Sequence, residues 1–108
     1  MAGIIDAHSH FMPPEVAQNT QFFKAGWSDI DRQLALMDEN NIEKALLLYP
    51  TSDAHLNMGG WGKVSQAYNP AIAKLVHQHS GRFIGAGILP VDNPDKILNE
   101  LDRIKDLG

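Results

Sequence analysis

Residues 45–50 read Ala45-Leu46-Leu47-Leu48-Tyr49-Pro50, an apolar run that does not alternate and is closed by proline. A strand covered on one face alternates apolar and polar residues. A strand apolar throughout is covered on both, which is the situation of strands in parallel sheets. Consecutive parallel strands need helical crossovers, and the rest of the chain supplies them. Strands are expected near 3–8, 44–49 and 82–89, the last ended by Pro90. Helices are expected near 28–40, 64–79 and 94–107. In the first, Ser28 and Asp31 read as a capping box; Ile30, Leu34 and Met37 fall on one face; Asn40-Asn41 reads as a stop. In the second, Asn69-Pro70 reads as a cap followed by proline in the first turn, so this helix is expected to come in two pieces. Ile97, Leu101 and Ile104 repeat the helical spacing in the third. The order β-α-β-α-β-α is the grammar of α/β folds.

The 108 residues allow one domain, here a partial one spanning 1–108. A closed (β/α)8 barrel takes about 250 residues, so three β-α units leave one sheet face and both sheet edges uncovered. Such surfaces favour self-association, or the seating of the missing remainder of a barrel. The net charge of -4 argues against a nucleic-acid footprint and against charge-driven membrane binding. With no cysteine, any metal must be held by nitrogen and oxygen ligands. The first residues lack the pattern of a signal peptide and no apolar stretch reaches the length of a span. A cytoplasmic protein is the expectation.

The stretch Ile4-Ile5-Asp6-Ala7-His8-Ser9-His10-Phe11 ends the first strand with two histidines one residue apart. Strand side chains alternate, so His8 and His10 are expected on one face, at the carboxyl end where α/β folds place their sites. Two imidazoles so placed can share one divalent ion, with zinc the expected one. His77 and His79 have the same spacing on a helix, where positions i and i+2 diverge by about 200°, and are expected on the surface. Asp6 should share the face of the histidine pair, either orienting a ligand or accepting backbone N–H groups.

Taken together, "IDAHSHFMPPE", "RQLALMDENNIEKALLLYP" and "NPAIAKLVHQHSGRFIGAGILPVDNPDKILNELDRIKDLG" resemble the N-terminal portion of the amidohydrolase superfamily. The likeness is to the branch that includes aminocarboxymuconate semialdehyde decarboxylase and related aromatic-acid decarboxylases and hydrolases. The resemblance implies the N-terminal part of a metal-dependent (β/α)8 TIM barrel. His8 and His10 would be its first two metal ligands, and further ligands and the proton-handling groups would come from later strands. It implies a hydrolase or carboxy-lyase acting on a small carboxylated substrate, with this chain alone expected to be inactive. The alternative is a non-catalytic β-α binding or assembly module.

In the loop after the second strand, His55 and Trp61 are candidate substrate contacts, Trp61 alternatively a loop anchor. Lys24 and Trp27 are candidates for meeting an anionic substrate. Met37 and Met58 are assigned to packing, Arg82 to the structural end of the third strand, and Asp92-Asn93-Pro94 to helix capping.

Overall fold

The computed structural model describes residues 3–21, 25–50 and 52–108. Its elements are β1 (Ile4–His10), α1 (Pro14–Ala17), a 3-10 turn (Ala25–Trp27), α2 (Ile30–Glu39), β2 (Ile42–Leu48), α3 (Ala54–Met58), α4 (Trp61–Gln78), β3 (Phe83–Gly85) and α5 (Pro94–Leu107). The strands form one parallel sheet in the order β1-β2-β3. Ala45 and Leu47 of β2 and Phe83 of β3 pack with Phe11 against Met37 of α2 and Tyr68, Ile72 and Leu75 of α4. Helices therefore cover one face. On the other, Leu46 and Leu48 are half-buried and Ile84 is exposed.

Several boundaries differ from the expectation, each for a nameable reason. The cap of α2 is Asp29, whose Oδ1 accepts from Arg32 N at 3.0 Å. Ser28 instead closes the preceding turn and donates its hydroxyl to Met12 O. At the other end Asn41 takes a positive φ of 58°, as a helix stop requires. The loop expected after β2 contains α3, and Gly59 and Gly60, both at positive φ, turn the chain into α4.

The second expected helix is one piece: α4 runs from Trp61 through Pro70 to Gln78. A proline inside a helix strands the carbonyl four residues earlier. Here that carbonyl is Gln66 O, and Arg103 of α5 reaches it with Nη2 at 3.4 Å. Asn69 does not cap. It is buried and faces the chain beyond β3, where its Oδ1 accepts from Ile88 N at 2.8 Å and its Nδ2 donates to Ile88 O at 2.9 Å. Nδ2 also donates to Glu100 Oε1 at 2.8 Å, and Glu100 Oε2 accepts from Arg103 Nε at 3.2 Å.

This clamp also explains why β3 stops at Gly85 although the apolar run continues to Leu89. Ala86 N still bonds Leu47 O at 3.2 Å, and then a helix side chain takes over Ile88. Gly85 and Gly87 let the layers meet. A Cβ at Gly85 would lie 2.9 Å from Ile72 Cγ1, and one at Gly87 would lie 3.0 Å from Ile104 Cδ1. At the amino end of β3, Arg82 pairs with Asp38 at 2.8 Å and donates to Glu43 O at 2.9 Å. That end of the sheet is held by structural contacts, as expected for Arg82.

Candidate metal centre at the carboxyl end of the first strand

The two histidine rings lie side by side, centroids 5.0 Å apart and nearly perpendicular. His10 Nδ1 lies 3.3 Å from Leu48 O. A carbonyl can only accept, so this bond requires hydrogen on Nδ1, and in the neutral ring the lone pair is then on Nε2. That is the arrangement metal-binding histidines use, one ring nitrogen held by a carbonyl or carboxylate and the other bare. Trp27 packs against His10, ring centroids 5.5 Å apart. An open cleft of about 570 Å³ lies between β1 and α2; Asp6, His8, His10, Trp27, Arg32 and Gln33 are among its lining residues.

Strict alternation does not survive along β1. Asp6 is in register with Ala45 and Ser9 with Leu47, so Ala7 and His8 together stand opposite the single residue Leu46. This is a β-bulge. Asp6 is in register with Ala45 between the two register shifts of β1, after Ile4 and after Asp6, and it lines the same cleft as His8 and His10. Its Oδ1 accepts from His8 N at 3.0 Å. Ser9, which the sequence reading passed over, turns toward α2 and accepts from Gln33 Nε2 at 2.7 Å. His10 is in register with Leu48.

His55 and Trp61 come together with each other and do not line the cleft that holds the histidine pair. Their rings stack at 4.4 Å and 9°. Tyr49 meets the edge of Trp61 at 6.0 Å, and His55 Nδ1 is buried without a hydrogen-bond partner. Trp61 N donates to Asp92 Oδ2 at 3.2 Å, so Asp92 serves the start of α4 rather than that of α5. His77 and His79 part ways: His77 Nε2 lies 3.2 Å from Leu107 O, and His79 meets the edge of Phe83 at 5.9 Å. Met37 is in the core and Met58 packs on the cluster of Met12, Val16 and Val64. Lys24 lies outside the described residues.

As a test of fit, the donor set at the end of β1 is two imidazole nitrogens, one of them freed by a fixed tautomer. Among the described residues no third histidine, cysteine, aspartate or glutamate completes a metal-holding group. The fit is to half of a four-coordinate shell. Among the described residues, no helix is long and apolar enough to cross a membrane.

No family model matches the chain. It is similar to the gamma-resorcylate decarboxylase of Rhodococcus jostii, 30% identical over 121 residues covering 100% of this chain and 37% of that enzyme. Among solved structures it is similar to a Staphylococcus aureus protein of provisional amidohydrolase assignment. The TM-score is 0.77 at 24% identity, over 99% of this chain and 35% of that one. It is also similar to a dihydroxybenzoic acid decarboxylase from Polaromonas sp. with bound manganese and the inhibitor 2-nitroresorcinol. There the TM-score is 0.71 at 26% identity, over 100% of this chain and 36% of that one. The chain spans about 37% of the length of the curated relatives it matches. The fold is three consecutive β-α units of the α/β class, as in part of a (β/α)8 barrel.

Proposed function

The chain matches the N-terminal portion of amidohydrolase-superfamily proteins, and from that premise we propose that it supplies the first two ligands of a divalent-metal enzyme. The reaction we propose is decarboxylation, or hydrolysis by the same metal logic, of a small planar carboxylated substrate. The observation that carries this reading is the pair of adjacent imidazoles with His10 Nδ1 tied to Leu48 O. When bound, a divalent ion neutralises and orients a carboxylate or acidifies a water.

This chain's own residues do the positioning. Leu48 O orients the His10 ring and leaves its Nε2 free for the ion. Trp27 walls the ring on one side, and its indole offers a flat apolar surface to an aromatic acid. Kinship with decarboxylases of dihydroxybenzoates supports the substrate class. Zinc suits the nitrogen ligands, but the manganese of the Polaromonas enzyme supports only a divalent ion, so both ions enter the test. His55 and Trp61 we assign to an aromatic rim after β2, beside the substrate rather than on the metal. The open sheet face around Ile84 and the β1 edge with Ile4 and Ile5 exposed we assign to cover by further β-α units.

The test is a titration of the purified chain with Mn²⁺, read from the ring signals of its five histidines by NMR. Paramagnetic broadening is expected at His8 and His10 first, with zinc competing it away and His8→Ala abolishing it. Equal broadening of all five rings, or none at millimolar metal, overturns the reading.

A further inference from the structure

We infer that Gln33, in the first turn of α2, is a positioning residue for the histidine pair: through Ser9 it grips the strand segment from which both imidazoles project. Ser9 stands between His8 and His10 and is in register with Leu47, whose side chain is fully buried in the core beneath the helices. Neighbouring strand residues point to opposite faces, so Ser9 is on the helix side and the two histidines are on the other. Its Oγ accepts from Gln33 Nε2 at 2.7 Å. Turning this segment about the strand axis would swing both imidazoles at once. A bond to Ser9 resists that turn from the face opposite the rings, so it leaves the imidazoles themselves unencumbered.

Backbone pairing alone holds this segment loosely. In the described sheet β1 pairs on one side only, and its register with β2 shifts after Ile4 and again after Asp6. Beside the histidines Leu48 O is shared: it accepts from Phe11 N at 3.3 Å and from His10 Nδ1 at 3.3 Å. Both are longer than the usual range of about 2.7–3.2 Å for such bonds, whereas the bond from Gln33 is short. The helix end of that bond is fixed. Asp29 caps α2, and Gln33 N donates to Asp29 O at 3.1 Å, closing the first turn. Ile30, Leu34 and Met37 form the face of α2 that meets the core, and Gln33 falls at the i+3 position of the same spacing, half-buried. An amide on such a face is disfavoured unless it is bonded, and the bond it makes goes to Ser9. That choice of residue points to a task at β1 rather than to packing.

The inference deepens the proposed metal site and rests on it for one readout, metal affinity. The other readout, the ring tautomer of His10 in the metal-free chain, does not depend on metal. Nitrogen-15 ring signals of wild-type His10 are expected to show hydrogen on Nδ1. Gln33→Met keeps the length of the side chain and removes the donor. It should mix the His10 tautomers and weaken Mn²⁺ binding by about 10-fold, the lower end of the usual effect of losing support behind a ligand, while the urea midpoint moves little. Ser9→Ala should do the same from the other end of the bond. The double variant should then be no worse than either single one, because both remove one interaction. Ser9→Thr keeps the hydroxyl and should keep the wild-type tautomer and affinity. Wild-type tautomer and affinity in Gln33→Met overturn the inference. So does a double variant whose loss is the sum of the two single losses, or a fall in affinity that only follows the loss of folded chain. Where Gln33→Met does not fold, the Ser9 pair decides the question: equal behaviour of Ser9→Ala and Ser9→Thr overturns the inference. A wild-type chain that binds no metal sinks the proposed function, and the tautomer comparison still decides the role of Gln33.

Discussion

The carboxyl ends of β1 and β3 are both irregular, and they are irregular in opposite ways. At β1 the departure is local: one extra residue, one carboxylate two positions away, and one serine tied to the neighbouring helix. The backbone is held and the two imidazoles are left without structural work, apart from the carbonyl that fixes one tautomer. At β3 the departure is long-range. Asn69 on α4 holds both polar groups of Ile88 and passes its remaining N–H to Glu100, which is held in turn by Arg103. Every side-chain polar atom of Asn69 and Glu100 in that clamp is bonded. The contrast teaches where chemistry can reside: a strand end secured through its backbone keeps its side chains available, and one secured through side chains does not.

The change with the largest expected effect on stability attacks the closed end. Asn69→Ala removes three hydrogen bonds and leaves Glu100, buried at 7% exposure, and the Ile88 backbone short of partners. A loss of about 3 kcal/mol is expected, read from urea unfolding, with Mn²⁺ broadening at His8 and His10 unchanged in the folded fraction. Loss of the metal signal along with stability would mean that the two strand ends are one unit and the contrast is false.

A smaller effect comes from the same end. Gly87→Ala puts a methyl 3.0 Å from Ile104 Cδ1 and 3.2 Å from Asn69 Oδ1. Both neighbours must give way, and overpacking of this kind costs about 1–3 kcal/mol. Gly26→Ala, where an added Cβ meets nothing within 4 Å, is the control. Smaller again in stability is His8→Ala at the open end. His8 is exposed, and a shift within about 0.5 kcal/mol is expected, together with loss of the metal signal. A large destabilisation would show that the imidazole does structural work after all.

The same contrast decides what was legible in the sequence. The apolar run of β2, the apolar spacing of α2 and α5 and the left-handed stop at Asn41 are local signals, and the elements they predict are present. The histidine pair was legible as a pair. The paired register shifts beneath it were not, because nothing within residues 4–10 alone marks where the pairing with β2 slips. Asn69-Pro70 looked like a cap because its local pattern is that of a cap; its true partners, Ile88 and Glu100, are 19 and 31 residues away. β3 is shorter than its side chains predict for the same reason. Residues 86–89 carry strand-like side chains, but Ile88 gives its hydrogen bonds to a helix.

The one change expected to leave stability unchanged or raise it concerns Tyr68, next to Asn69 in α4 and its opposite in bonding. Tyr68 is fully buried against Phe11 and Tyr49, and its hydroxyl has no hydrogen-bond partner. A buried hydroxyl left unpaired is unfavourable, so Tyr68→Phe should be neutral or stabilising by up to about 1 kcal/mol. Its larger signature is in alkali. Burial, and then the nearby Tyr49, push the Tyr68 hydroxyl well above the ordinary value of 10.0. Burial raises Tyr49 as well, partly opposed by its bond to Ser52. A tyrosine held neutral in the folded state but free to ionise when unfolded contributes nothing to the pH dependence below its unfolded value. Stability is then lost as pH rises above about 10. The wild-type chain should therefore unfold progressively above that pH, and Tyr68→Phe should flatten the loss. An alkaline profile unchanged by Tyr68→Phe would mean that the hydroxyl has found a partner in solution, and that the middle of α4 is as fully bonded as the clamp beside it.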